Sequence, residues 1–297
     1  MTDTQTAQTA DRDPVTETIA VLGAGGTMGF PIARNIARAG LPTRVWNRPG
    51  DKARPLTADG AYLARTPYDA ASGASIVLTM LADEEAVARA MDGPDGALRA
   101  LSGARQGEGG ADGPLWVQMS TIRETATRRC AELADRAGVG FVDAPVLGTR
   151  QPAEEGKLLI LESGPEEARP RLAPVFDAIG QRTIRAGEAG AGSRLKLVAD
   201  CWVLAVVEAA ADAGPVDPPH RRMKGKAMTE RDFTPAFRLS LAAMDAGLAR
   251  RAAEGRAAED RDAAEGRDLD LALIEAIARR FAEADKEHGD TSALRTR

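Results

Sequence analysis

Short apolar runs and amphipathic stretches alternate along the chain up to about residue 186. The amphipathic stretches, such as 83–91 and 123–137, repeat apolar residues at the spacing of one helix face. The apolar runs between them predict β-strands, and this alternation is typical of a doubly wound α/β fold with a mostly parallel sheet. The predicted strands lie at 18–22, 43–46, 75–80, 115–119, 140–142, 158–162 and 182–185.

The pattern changes near residue 187, where strand-like runs stop. The apolar spacing that follows predicts one long helix over 193–213. A charge-rich near-repeat at 252–267 predicts a solvated insertion or a helix extension. We therefore expect three parts, which are a polar disordered tail at 1–17, a Rossmann-type domain at 18–188 and a smaller all-α domain at 189–297.

A glycine-rich turn, GAGGTMG at 23–29, follows the first predicted strand and precedes a helical pattern. Glycines let backbone N–H groups approach phosphates, and a helix N-terminus favours negative charge, so the turn predicts a dinucleotide site. Its spacing departs from G-x-G-x-x-G. Either the turn that Gly23 and Gly25 open carries one extra residue, or the frame starts at Ala24 and uses Gly26 and Gly29. The predicted cofactor contacts here are Gly23, Gly25, Gly26, Thr27, Met28 and Gly29.

The end of the second predicted strand indicates which nicotinamide cofactor is preferred. A carboxylate at this point holds the ribose hydroxyls of NAD, whereas a 2′-phosphate needs cationic and neutral donors. The strand ends in Asn47-Arg48, and the first acid after it is Asp51. Arg48 can bind a phosphate through two parallel hydrogen bonds. The sequence therefore predicts NADP, with NAD as the less favoured cofactor.

Bulk charge and cysteine usage narrow the expected partners and location. The formal net charge of −5 argues against nucleic acid or an anionic membrane as a partner. No apolar run is long enough to cross a bilayer, and the first residues lack the features of a secretion signal. Cys130 and Cys201 lie in helical patterns and are expected to be buried free thiols, which predicts a cytoplasmic location. His220 and His288 lack the spacing of metal ligands, so no metal site is predicted.

Four blocks of sequence carry a family resemblance. They read MGFPIARN at 28–35 (with VWNR at 45–48), LTMLAD at 78–83, DAPVLG at 143–148 and GAGSRLKLVAD at 190–200. The four blocks occur in the order that they have in the β-hydroxyacid dehydrogenase superfamily, which contains 3-hydroxyisobutyrate dehydrogenase and semialdehyde reductases. The chain resembles this superfamily over residues 18 to about 250. The resemblance implies hydride transfer between nicotinamide and a small β-hydroxyacid or semialdehyde, and a homodimer formed through the helical domain.

The resemblance also implies roles for single residues. Lys196 matches the catalytic lysine of the family and lies early in the long helix, beside the expected cleft. A lysine can serve there as general acid/base where desolvation lowers its pKa toward the working pH. The carboxyl ends of the strands are expected to bring Met80, Leu81, Ser120, Thr121 and Asp143 to one cleft. Further cofactor contacts are predicted at Asn47, Arg48, Met80, Leu81 and Thr121, and substrate contacts at Ser120, Val146, Leu147, Gly148 and Asp200. A helix-capping role for Ser120 and Thr121 fits the pattern equally well.

Four departures from the family pattern leave other functions open. Leu147-Gly148-Thr149 replaces the usual Ser-Gly-Gly, Asp200 replaces an asparagine, and Met244 replaces a lysine. About twenty residues, or five to six turns at ~3.6 residues each, are missing near 214–220, so the helical domain is expected to be shortened. Leu147 and Asp200 motivate reduction of a neutral carbonyl or imine as one alternative. The shortened domain and Met244 motivate a cofactor-binding pseudoenzyme as another.

Overall fold

The computed structural model describes residues 17–103 and 113–200, which contain one nine-stranded sheet flanked by helices. The strands are β1 (Ile19–Leu22), β2 (Thr43–Trp46), β3 (Tyr62–Leu63), β4 (Ile76–Thr79), β5 (Leu115–Gln118), β6 (Gly140–Asp143), β7 (Val146–Leu147), β8 (Leu158–Ser163) and β9 (Gly180–Gly187). The helices are α1 (Gly29–Arg38), α2 (Pro67–Ala71), α3 (Glu84–Asp92), α4 (Ala97–Gly103), α5 (Glu124–Arg136), α6 (Arg150–Glu154) and α7 (Arg169–Ile179), and α8 is described over 191–200.

The sheet has the strand order β3-β2-β1-β4-β5-β6-β8-β7, and β9 also pairs with β8. The strands from β3 to β6 are all parallel, whereas β8 runs antiparallel to β6 and β7. From β1 the chain first builds outward through β2 and β3, then returns to β4 on the other side of β1. The strand order therefore reverses between β1 and β4, and a crevice opens at their carboxyl ends.

Both faces of the central strands are buried, which explains their nearly continuous apolar sequence. Successive side chains of a strand point to opposite faces. Ile19 and Val21 of β1 accordingly belong to the core cluster beneath α1 and α7. Ala20 and Leu22 belong to the cluster on the other face, with Trp116 of β5. The doubly wound α/β fold predicted from the sequence is confirmed.

Two short strands, β3 and β7, were missing from the prediction because two residues are too few to show a periodicity. Cys130 is a buried free thiol, as predicted, and burial raises its pKa to about 12. Within the described segments no helix is long and apolar enough to cross a membrane. The predicted all-α domain beyond residue 200, its dimer contact, Cys201 and Met244 lie outside the described residues, as does the predicted tail except for Glu17.

The glycine turn contains two backbone crossings that leave no room for a side chain. Gly23 has φ +96°, and a Cβ built on it would lie 2.1 Å from the carbonyl oxygen of Met80. A Cβ on Gly29, the first residue of α1, would lie 2.1 Å from the carbonyl oxygen of Gly23. The G-x-G-x-x-G motif therefore begins at Gly23 and Gly25. One extra residue precedes its third glycine, which is Gly29.

Replacement of Gly29 by alanine is expected to lower the free energy of unfolding by about 2 kcal/mol, because α1 must move away from β1. Urea unfolding followed by circular dichroism measures the change. Gly103→Ala is the matched control, since Gly103 is also helical but a Cβ there meets no atom of the described residues within 4 Å. Equal unfolding midpoints for the two variants would contradict the crossing.

Candidate active site

A cleft of about 730 Å³ lies at the carboxyl ends of the parallel strands and extends to α8. Its size is that of a cofactor or ligand site. Fourteen of the predicted site residues line it, namely Gly23, Gly25, Gly26, Thr27, Met28, Gly29, Asn47, Arg48, Met80, Leu81, Thr121, Val146, Gly148 and Lys196. The predicted residues Ser120, Leu147 and Asp200 are absent from its walls. Lys52 and Met119 line it without having been predicted.

The N-terminus of α1 opens into the cleft beside the glycine turn. The helix has no side-chain cap and no acidic residue in its first turn. The first backbone N–H groups of any helix lack intrahelical acceptors. In α1 the Phe30 amide already donates to the Gly26 carbonyl at 3.0 Å and Pro31 has no N–H, so the donors that remain are at Gly29 and in the turn before it. Because this end of the helix lines the cleft and carries the positive end of the helix dipole, the turn suits a pyrophosphate group.

Asn47, which follows β2, fixes the outer edge of the turn. Its Oδ1 accepts a hydrogen bond from the Gly25 amide at 3.1 Å, and its Nδ2 donates to the carbonyl of Pro49 at 2.8 Å. Beside this amide, Arg48 and Lys52 contribute two cationic side chains to the cleft wall. The end of β2 therefore offers an amide and two cations where a carboxylate would hold the ribose hydroxyls of NAD.

A buried polar network joins the carboxyl ends of β4 and β5. Thr79 accepts a hydrogen bond from the Trp116 indole at 3.0 Å and donates one to Gln118 Oε1 at 2.9 Å. The Gln118 side chain also binds the backbone N–H and carbonyl of Ser120, at 3.0 and 2.6 Å. Thr79 and Gln118 are polar residues inside apolar strands, and this signal could have revealed the network from sequence.

Ser120 is engaged in this network and does not reach the cleft. Its hydroxyl accepts a hydrogen bond from the Leu81 amide at 2.8 Å and donates to the Thr79 carbonyl at 3.2 Å. The residue is 1% exposed. Ser120 therefore holds the Met80–Leu81 backbone, which forms a cleft wall, whereas its neighbour Thr121 lines the cleft directly.

Lys196 enters the cleft from α8, and Val146 and Gly148 line the same cleft. It is 8% exposed, and its Nζ donates to Asp200 Oδ1 at 2.8 Å. The other carboxylate oxygen of Asp200 is buried and has no hydrogen-bond partner among the described residues. The Lys196 amine is therefore nearly buried but lies beside the open space of the cleft. The carboxylate of Asp200, one helical turn further along α8, balances its charge.

Asp143, at the end of β6, was expected to line the cleft but is completely buried. Its carboxylate faces the start of α8, where it accepts hydrogen bonds from Ser193. Burial raises the pKa of Asp143, and the hydrogen bonds from Ser193 and Ser163 lower it in part. In the part of the chain that the structure describes, no group of three or more His, Cys, Asp or Glu residues is arranged to hold a metal ion.

These features define the class of the protein: a dinucleotide-binding fold whose cofactor cleft contains a nearly buried lysine. The sequence profile of the NAD binding domain of 6-phosphogluconate dehydrogenase matches residues 18–187. An uncharacterised oxidoreductase, YfjR of Bacillus subtilis, is 33% identical over 80% of this chain and 86% of its own length. The 3-sulfolactaldehyde reductase of Escherichia coli is 31% identical over 78% of this chain and 81% of its own length.

A solved structure supports the same relationship. The 3-hydroxyisobutyrate dehydrogenase of Mycobacterium tuberculosis, in a structure with L-serine, has a TM-score of 0.73 and 26% identity over 93% of this chain and 96% of its own. The chain belongs to the β-hydroxyacid dehydrogenase superfamily. It is an NAD(P)-dependent oxidoreductase that acts on hydroxyl groups or the corresponding carbonyl groups.

Ser120→Ala is expected to weaken cofactor binding about fivefold, because the Leu81 amide loses its buried acceptor at a cost of about 1 kcal/mol. The dissociation constant is measured by NADPH fluorescence titration. Ser102→Ala, at an exposed helical serine, is the control and should leave the constant unchanged. If Ser120→Ala instead raised only the KM of the second substrate, the serine would be a substrate ligand and not a support for Leu81.

Proposed function

We propose that this protein is an NADP-dependent oxidoreductase that transfers hydride between the nicotinamide and a small β-hydroxyacid or the matching semialdehyde. Lys196 acts as the general acid in the reductive direction and as the general base in the oxidative direction. The observation that carries the proposal is the nearly buried Lys196 amine, which shares one cleft with the glycine turn and the uncapped start of α1.

The residues of the cleft have different roles in such a reaction. Bound nicotinamide supplies or accepts the hydride. Lys196 Nζ has three N–H donors when protonated, and among the described residues its one hydrogen-bond acceptor is Asp200, which leaves donors for a substrate oxygen. Donation of one of these protons to the oxygen completes the reduction. Met80, Leu81 and Val146 give part of the cleft wall an apolar lining.

The relatives support a small acidic substrate. The names 3-hydroxyisobutyrate, 3-sulfolactaldehyde and L-serine all describe short molecules with an acid group and a hydroxyl or aldehyde. In this chain the groups available to orient such a molecule are the Thr121 hydroxyl, the backbone around Val146 and Gly148, and Lys196. Ser120 is excluded as a ligand in this arrangement, because its hydroxyl is engaged with Leu81 and Thr79.

One observation favours a second candidate, reduction of a neutral carbonyl or an imine. The carboxylate of Asp200 lies 2.8 Å from Lys196 Nζ and balances its charge, so the pair attracts an anionic substrate less than a single lysine does. Leu147, the other residue that motivates this candidate, is absent from the cleft walls and adds no support to it. The Lys196–Asp200 pair therefore reduces the advantage of an acidic substrate over a neutral one.

Lys196→Ala is expected to lower kcat at least about a hundredfold, because the substrate oxygen loses its proton donor. NADPH oxidation is followed with short semialdehydes, neutral aldehydes and ketones, and a cyclic imine. The dissociation constant for NADPH should stay within about twofold, since the phosphate-binding turn belongs to another part of the cleft. Lys157→Ala is the control, because Lys157 is an exposed lysine paired with Glu155.

The substrate panel separates the candidates. A preference for semialdehydes supports the leading proposal, and a preference for neutral carbonyls or the imine supports the second. Absence of turnover with every compound, in a soluble protein that binds NADPH, would contradict both and leave a cofactor-binding pseudoenzyme. Full activity of the Lys196→Ala variant would contradict the role of the lysine.

The preference for NADP rests on the end of β2. Arg48 and Lys52 line the cleft there, and the Asn47 amide is already used by Gly25 and Pro49. An added 2′-phosphate would find two cationic donors at this edge, whereas the ribose hydroxyls of NAD would find no carboxylate from the residues that directly follow β2.

Arg48→Ala is expected to raise the dissociation constant for NADPH about tenfold, equivalent to about 1.4 kcal/mol, and to change that for NADH by less than about twofold. Fluorescence titration with both cofactors measures the two constants. Arg54→Ala removes an equal charge from an exposed residue of the adjoining 3-10 helix that does not line the cleft. Equal weakening of NADPH and NADH by Arg48→Ala would overturn the 2′-phosphate assignment.

A further inference from the structure

The first turn of α8 is held tightly against the carboxyl end of β8. A Cβ built on Gly192 would lie 2.2 Å from the carbonyl oxygen of Leu161, so only glycine allows this approach. The Gly192 amide donates a hydrogen bond to Ser163 Oγ at 2.9 Å. The helix that carries Lys196 therefore begins in direct contact with the sheet.

The Asp143 carboxylate completes this attachment from the end of β6. Its Oδ2 accepts a hydrogen bond from the Ser193 amide at 2.8 Å, and its Oδ1 accepts one from the Ser193 hydroxyl at 2.7 Å. Ser163 Oγ lies 3.1 Å from the Asp143 carbonyl oxygen and 3.2 Å from Oδ2. A carboxylate in this place satisfies N–H groups that the helix itself leaves free and meets the positive end of its dipole.

Asp143 is connected through the backbone and through α8 to two walls of the cleft. Ser193 and Lys196 are three residues apart and lie on one face of the helix, and both are buried. In the other direction Asp143 leads through Ala144 and Pro145 to Val146, which lines the cleft. One side chain thus joins the helix that carries Lys196 to the segment that carries Val146, and both residues line the cleft.

We propose that Asp143 is a positioning residue that sets the location of Lys196 in the cleft through its hydrogen bonds to Ser193. It acts through α8 and touches neither substrate nor cofactor. The effect on turnover rests on the proposed role of Lys196, whereas the effect on the helix does not. Burial of a carboxylate is unfavourable without donors, which explains why the hydroxyls of Ser193 and Ser163 are both directed at it.

The test compares the full-length protein with Asp143→Ala, Asp143→Asn and Ser193→Ala. Hydrogen exchange measures protection of the amides at 190–197, and acetylation followed by mass spectrometry measures the access of reagent to Lys196. The dissociation constant for NADPH and the kcat and KM of the best substrate complete the set. Asp59→Ala is the control, because that carboxylate is also largely buried but pairs with Arg34 and Arg38 of α1.

Asp143→Ala is expected to increase exchange at 190–197 at least about tenfold, to increase acetylation of Lys196 severalfold and to lower kcat about tenfold or more. The dissociation constant for NADPH should stay within about twofold. Asp143→Asn keeps the shape and one acceptor oxygen, so it should restore most of the protection. Ser193→Ala removes one of the two hydrogen bonds and gives a smaller change in the same direction, which preserves the test if Asp143→Ala does not fold.

Loss of kcat in Asp143→Ala with unchanged exchange and unchanged acetylation would overturn the proposal, because the carboxylate would then act on the substrate directly. The proposal would also be overturned if Asp143→Ala left hydrogen exchange at 190–197, acetylation of Lys196 and kcat all unchanged. Increased exchange and acetylation in Asp143→Ala with normal turnover would support the attachment of α8 through Asp143. If Lys196→Ala were then as active as the unaltered protein, the proposed role of the lysine would have failed while the attachment stood.

Discussion

Three backbone crossings that exclude a side-chain carbon set the dimensions of the cleft. Gly23 passes the Met80 carbonyl, Gly29 passes the Gly23 carbonyl, and Gly192 passes the Leu161 carbonyl, each with 2.1 to 2.2 Å left for a hypothetical Cβ. The first two fix the start of α1 to the sheet, and the third fixes the start of α8. The start of α1 rests on the turn that directly follows β1, and the start of α8 rests on β8, so the distance between the glycine turn and Lys196 is set by the sheet.

Polar groups buried beneath the cleft are used to hold its walls. Gln118 holds the Ser120 backbone and Ser120 in turn holds the Leu81 amide, whereas Asp143 and Ser163 hold the start of α8. Hydrogen bonds in such a low-dielectric environment are costly to leave unmade, so each network favours one arrangement of its loop before any ligand arrives. The same bonds remove these side chains from ligand binding, which is why residues at strand ends divide into those that contact the cleft and those that support it.

Periodicity and glycine spacing predicted most of the sheet and the turn, because these depend on local sequence. The strand-end residues of the cleft followed from the topology of a parallel sheet, and Val146, Gly148 and Lys196 followed from the family resemblance. The roles of Ser120 and Asp143 could not be predicted in the same way. The Leu81 amide is 39 residues from Ser120, and the Ser193 amide is 50 residues from Asp143. Both side chains were placed correctly at strand ends, but their orientation depends on neighbouring strands and helices. A hydroxyl or carboxylate at a strand end is equally suited to a ligand and to a buried N–H group.

In the proposed reaction, the Lys196–Asp200 pair determines how the cleft can recognise an acid. At 2.8 Å the two charges form a dipole, and the field of a dipole falls with distance faster than that of a single charge. The pair therefore gives little long-range attraction to an anionic substrate, whereas the remaining N–H donors of Lys196 keep their full strength at contact. Selection among small substrates must then depend on short hydrogen bonds and on the apolar shape near Val146. Substrate charge would matter chiefly through the cost of placing an anion close to Asp200, and that cost rises as the substrate's acid group approaches α8.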